Sequence, residues 1–138
     1  MNARVPWPAE APRLTGEFTV EDAALDAAAD DFGHLVSHRP SAIAMPADAA
    51  DVASIVSFGR SAGVPVVARG QGHSTGGQAQ APGGIVVRMA ALREIGAVAG
   101  DRITVGAGAR WSEVLAATLP AGLTPPVLTD YLELSVGT

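Results

Sequence analysis

The 138-residue chain contains no cysteine and, since all nine of its basic residues are arginine, no lysine. Without cysteine there are no disulfides, no thiolate nucleophile and no cysteine-ligated zinc. Without lysine a Walker A phosphate loop, which needs Gly-Lys-Ser/Thr, is excluded. Positive charge is scarce, and the net charge of −5 argues against nucleic acid, which needs clustered Lys and Arg. The opening Met1-Asn-Ala-Arg-Val-Pro-Trp-Pro8 lacks the long apolar run of a signal peptide or membrane span. The expectation is a cytoplasmic protein without a membrane partner. No internal repeat is present either.

What the chain does have is apolar residues at 48%, together with sixteen glycines and ten prolines. That supplies one core for one domain, with many turns in place of long helices. The most informative stretch is Arg69-Gly-Gln-Gly-His-Ser-Thr-Gly-Gly-Gln78, which follows the apolar run Val64-Pro-Val-Val-Ala68. Glycines at 70, 72, 76 and 77 open backbone conformations closed to other residues and let the main chain approach a ligand. Successive N–H groups in such a loop form a nest for phosphate oxygens without any lysine. A dinucleotide fingerprint G-x-G-x-x-G starts at Gly70 and Gly72 but fails at Thr75. A second near-match, Gly106-Ala-Gly-Ala-Arg-Trp111, fails at Trp111. Neither opens a long helix, so a nucleotide here requires a fold other than the Rossmann type.

Patterning predicts an α+β chain. Residues 1–18 read as a loose, proline-rich arm. Thr19 is placed to cap a short helix over 20–31, ended by Gly33. Residues 41–45 read as a strand. Asp48 caps a helix running to Ala62 that buries Val52, Ile55 and Val56, with Gly63 ending it. Strands follow at 64–68, 85–89 and 103–105. A helix over 111–119 buries Val114 and Leu115, and Pro120 closes it. Trp111 and Phe58 read as packing residues. Asp22, Asp26, Asp30 and Asp31 read as a solvated acidic face. His34 and His38 are four apart, but Leu35 stands where a zincin needs Glu, so no metal site is assigned.

Three segments resemble the FAD-binding part of vanillyl-alcohol-oxidase type (PCMH-type) flavoproteins, and within them cytokinin dehydrogenases. Arg39-Pro-Ser-Ala-Ile-Ala-Met-Pro46 with Asp51-Val-Ala-Ser-Ile-Val56 is similar to the opening strand and helix. Ala68-Arg-Gly-Gln-Gly-His-Ser74 with Gly77-Gln-Ala-Gln80 resembles the pyrophosphate loop, and Thr129-Asp-Tyr-Leu-Glu-Leu-Ser-Val-Gly137 the substrate-side segment. The resemblance implies a small mixed sheet flanked by helices, truncated: an arm and short helix over 1–37, then a partial FAD-binding domain over 38–138. The family continues Val-Gly-Gly-Thr-Leu-Ser into further strands and a substrate domain, whereas here Val136-Gly137-Thr138 ends the chain. The chain is thus expected to be an N-terminal fragment.

The resemblance also implies site roles. Ala68, Gly70, Gln71, Gly72 and Ser74 map onto the pyrophosphate cradle, with Gln78 adding an amide. His73 aligns with the histidine covalently linked to FAD, and a neutral imidazole nitrogen is a competent nucleophile. Its bland alternative is a loop histidine with backbone hydrogen bonds only. Arg69 reads equally as a phosphate ligand, a solvated side chain or an ion-pair partner. Asp130 matches the aspartate that takes a proton from the substrate amine; a surface turn aspartate is the alternative. A carboxylate performs that task only when its pKa rises from ~3.9 toward working pH. Ser135 matches a position near the flavin, or else is an exposed strand residue. The implied function is an FAD-dependent oxidoreductase acting on a small amine. The alternatives are a non-catalytic nucleotide-binding module, completed by a second chain, and a product that does not fold.

Overall fold

The computed structural model describes residues 10–137. The strands are β1 (Glu17–Thr19), β2 (Ala42–Met45), β3 (Val66–Arg69) and β4 (Ile85–Arg88). They form one sheet in the order β1-β2-β4-β3. β2, β4 and β3 run parallel, and β1 adds antiparallel to β2 with Phe18 opposite Ala44. Three helices complete the fold: α1 (Asp22–Ala29), α2 (Ala49–Ala62) and α3 (Trp111–Thr118).

The parallel strands are short apolar runs because both faces of the sheet are covered. On one face Ala42, Ala44, Ile85 and Val87 pack against Ile55 of α2. On the other, Ile43 and Val86 pack against Leu25 and Ala28 of α1, with Val67 beside them. The α2 boundaries follow their chemistry. The Asp48 carboxylate accepts from the Asp51 N–H at 2.9 Å, an N-cap contact. Gly63 ends the helix in the left-handed region at φ 64°.

Several expectations change. Thr19 is the last residue of β1 and does not cap α1, whose N-cap is Glu21. The arm is ordered at its C-terminal end, since Glu17–Thr19 extends the sheet; the expectation for residues 1–9 lies outside the described residues. Within α2 the buried residues are Asp51, Ile55 and Gly59, while Val56 is 53% exposed. The helix is rotated because Asp51 turns inward. Its carboxylate accepts from the amides of Thr15 and Gly16 at 2.8 Å each and of Ala47 at 2.9 Å. These bonds, Ala47 first, hold its carboxyl below the usual aspartate range against a smaller opposing effect of burial. The strand expected at 103–105 is reduced to an isolated bridge between Ile95 and Val105. α3 ends at Thr118, just before Pro120 as expected, but a 3₁₀ turn over Leu119–Ala121 follows it until Gly122.

Candidate functional site

The loop 70–78 leaves the carboxyl end of β3, the side of a parallel sheet where ligands bind. Arg69 sets its path. Its Nη1 donates to the carbonyls of Ala28 and Asp30 at 3.0 and 3.2 Å, so the side chain straps the loop base to the end of α1. Gly72, at φ +78°, lies directly over this guanidinium, and a Cβ there would come 2.7 Å from Arg69 Nη2. Of the roles open to Arg69, the observed one is to hold backbone.

The far side of the loop rests on the segment after α1. The Phe32 N–H donates to the Ser74 carbonyl at 3.1 Å. Gln80, buried at 5% exposure, donates through Nε2 to the carbonyls of Ala29 and Val36 at 2.9 and 2.8 Å. Gln80 Oε1 and Asp31 Oδ2 are buried without a hydrogen-bond partner among the described residues. Asp31 therefore does not belong to a solvated acidic face. Asp22 and Asp26 both pair with Arg39, and Asp30 pairs with His34 at 2.6 Å.

Within this frame the amides of Gly70, Gln71, Gly72, His73 and Ser74 donate to no acceptor among the described residues. Consecutive unsatisfied donors on a glycine-rich turn make an anion nest. Gln78 bends its Oε1 back onto the Gly76 N–H at 2.9 Å, closing the loop, while its exposed position keeps its amide at the rim. Ala68 is exposed on β3. The His73 ring is in contact with two others. Phe32 sits at a centroid distance of 4.6 Å and Tyr131 at 5.5 Å.

Tyr131 arrives from the last described segment, which is zipped to the start of α3. The Trp111 and Ser112 amides donate to the carbonyls of Leu134 and Leu132 at 3.1 and 2.9 Å, and Val136 and Gly137 donate back to Ala109 and Ala107. These contacts satisfy helix-start donors that α3 cannot use internally. Arg110 pairs with Glu133 at 2.9 Å. Glu133 is held below the usual carboxylate range by a hydrogen bond from Ser112 and by Arg110. Glu113 is likewise lowered, by the Arg110 N–H and then by Arg93. Asp130 is exposed and adjoins Tyr131, at a turn where the Thr129 hydroxyl donates to the Tyr131 carbonyl at 2.9 Å. Ser135 is neither solvent-facing nor in a strand: it is 2% exposed, in a bridge with Arg110.

The structure thus joins His73 to the Asp130–Tyr131 turn, and sets Ser135 at the α3 junction. Phe32 and Tyr131 are the site residues that sequence reasoning missed. Tyr131 was signalled only by its place beside Asp130, and Phe32 by nothing local. Among the described residues no cluster of His, Cys, Asp or Glu could hold a metal, and no helix is long and apolar enough to cross a membrane.

A parallel sheet whose strand end opens into a histidine-bearing anion nest, faced by an aromatic turn from a distant segment, defines a nucleotide-cofactor binding module. Residues 40–137 match the family described as FAD binding domain, and the chain belongs to that family. It is 40% identical over 124 residues to an uncharacterised oxidoreductase of the fasciation locus of Rhodococcoides fascians, covering 90% of this chain and 28% of that protein. It is 44% identical over 117 residues to cytokinin dehydrogenase 7 of Oryza sativa subsp. japonica, covering 79% and 22%. The fold superposes on 6-hydroxy-D-nicotine oxidase from Arthrobacter nicotinovorans with a TM-score of 0.82 at 27% identity, over 94% of this chain and 29% of the other. The chain therefore spans between about a fifth and a third of the length of these relatives. FAD is the cofactor that family and fold assign, and the unsatisfied amides of residues 70–74 suit its pyrophosphate.

Proposed function

We propose that this chain is the FAD-binding front part of an oxidoreductase of the cytokinin dehydrogenase type, acting on a small-molecule amine. The observation that carries the reading is the run of unsatisfied amides from Gly70 to Ser74 with His73 in its midst, facing Tyr131. The 44% identity to a cytokinin dehydrogenase supports the reaction class.

The loop amides, with the Ser74 hydroxyl and the Gln78 amide, bind the pyrophosphate. Arg69 keeps that cradle in place from below. His73 is the side chain that tethers the cofactor through an imidazole nitrogen, with the Phe32 and Tyr131 rings in contact with it. FAD, when bound, supplies the acceptor for a hydride from the substrate carbon. Asp130, exposed at the rim beside Tyr131, takes the proton from the substrate amine. Because the chain covers 22–28% of its oxidoreductase relatives, turnover is proposed for the whole protein and cofactor binding for this part. The same coverage favours the second reading, a binding module without turnover of its own.

Intact mass and visible absorbance of the chain, expressed with FAD available, test the proposal. An FAD adduct with flavin absorbance, lost in His73→Ala, is the expected result. An unmodified mass together with no FAD binding by titration would remove the cofactor role from this chain.

A further inference from the structure

β3 and β4 end side by side, with Arg69 opposite Arg88 in the parallel register. Side chains two residues apart on a strand share a face. Val67 and Val86 pack on the α1 side of the sheet, so Arg69 and Arg88 project to that side as well. Both line one cleft of about 180 Å³, shared with Gly70, Gln71 and the α1 residues Ala24 and Ala28.

Two like charges directly opposite each other on neighbouring strands destabilise a sheet unless something compensates them. The obvious acids are engaged elsewhere. Asp22 and Asp26 of α1 hold Arg39, and Asp30 holds His34. Arg69 donates to two carbonyls at the end of α1, and no carboxylate pairs with it among the described residues. The Arg88 guanidinium has no hydrogen bond or ion pair among the described residues. In a chain of net charge −5, a paired cation site of this kind is a local exception. Its location at the carboxyl ends of parallel strands is where such sheets receive ligands. The cleft exceeds the ~30 Å³ of a water several-fold, yet falls below the ~300 Å³ from which whole small-molecule pockets begin. It suits one phosphate-sized group. A guanidinium presents a planar fork of donors matched to two phosphate oxygens, and Gly70 and Gln71, which line the same cleft, have amides with no acceptor among the described residues.

We propose that Arg88, with Arg69 and the amides of Gly70 and Gln71, forms a binding site for a phosphate-type anion. Its occupant is a phosphate of the bound FAD or a free inorganic phosphate; only the first source rests on the cofactor reading above. Arg88 is the selective element, since Arg69 is also tied to the fold.

The test is a titration of this chain with inorganic phosphate at constant ionic strength, read as melting temperature and as isothermal heat, with chloride as reference. Arg88→Gln is expected to weaken phosphate binding at least tenfold, and Arg88→Lys to weaken it less, because charge survives without the fork. Arg102→Gln, on a side chain 90% exposed, reports any general effect of lost charge and is expected to leave binding unchanged. Circular dichroism checks that each variant is folded. Competition between phosphate and FAD, with both weakened by Arg88→Gln, assigns the site to the cofactor. Phosphate binding lost in Arg88→Gln with FAD affinity unchanged assigns it to the free anion. No phosphate effect beyond chloride, or an undiminished effect in folded Arg88→Gln, overturns the proposal whatever FAD does. Phosphate binding without any FAD binding overturns only the cofactor reading.

Discussion

The His73 imidazole stacks on the Tyr131 ring at a centroid distance of 5.5 Å and an interplanar angle of 22°. This contact makes a single site out of the glycine-rich loop after β3 and the turn that follows α3. Tyr131 remains 51% exposed, so the pair sits at the surface.

Replacing Tyr131 by Ala is therefore expected to alter the loop more than the fold. Offset aromatic pairs contribute about 0.5–1.5 kcal/mol beyond their area, and exposure puts this one toward the lower end. The His73 ring proton resonances should shift clearly, while the urea midpoint moves little. Unchanged His73 resonances would show that the stack does not persist in solution.

Gly72→Ala attacks the same loop from below. The substitution forces a Cβ toward the Arg69 guanidinium at 2.7 Å and places alanine at φ +78°, where a left-handed residue costs about 1–2 kcal/mol. The expected result is a lower melting temperature and at least tenfold weaker FAD binding. An equally tight FAD complex would mean that the cradle tolerates a different path.

Ile55 is fully buried between α2 and the sheet. Truncation to Ala removes apolar contacts and leaves a cavity, for a cost of about 2–5 kcal/mol. Urea unfolding should show a lower midpoint with an unchanged slope. Val56→Ala, one residue on but exposed, should change stability by no more than about 0.5 kcal/mol.

Asp51 supplies a pH signature. Its folded carboxyl lies below the ordinary aspartate range, so the unfolded chain binds the proton more readily. The contribution is complete above about pH 4, the unfolded value, and fades as pH falls through the folded one. Glu113 and Glu133 act in the same direction. Asp51→Asn should be less stable than the parent at pH 7, with the gap narrowing below pH 4. A gap as wide at pH 3 as at pH 7 would show that the charge contributes nothing.

Much of the centre of the fold was legible because local and tertiary signals agree there. Asp48 and Gly63 bound α2 through their own chemistry, and Ile85, Val86 and Val87 are apolar on both faces because both are buried there. The periphery was not legible. Glu17–Thr19 is too short to carry a pattern, and is a strand only because β2 offers it an edge. Ile103 and Val105 have the β-branched composition of a strand, but find a single bridge partner in Ile95. Val56 has the right spacing for the core, and an aspartate three amides wide turned the helix away from it. The loop 70–78 declared itself through its glycines and histidine. Its ring neighbours did not, since no local pattern links Phe32 or Tyr131 to residue 73. The purpose of Arg69 emerged only once the carbonyls of Ala28 and Asp30 lay beneath it.

The three amides gathered by Asp51 also set an order in time. Thr15 and Gly16 have an acceptor only after Asp51 is placed, and Asp51 is placed only when the first turn of α2 exists. β1 offers three residues of pairing, far too few to persist alone. Folding is thus expected to begin at the parallel strands and α2, with the N-terminal strand the last piece to arrive and the first to leave. Its amides should exchange with solvent well before those of Ile43 and Val86.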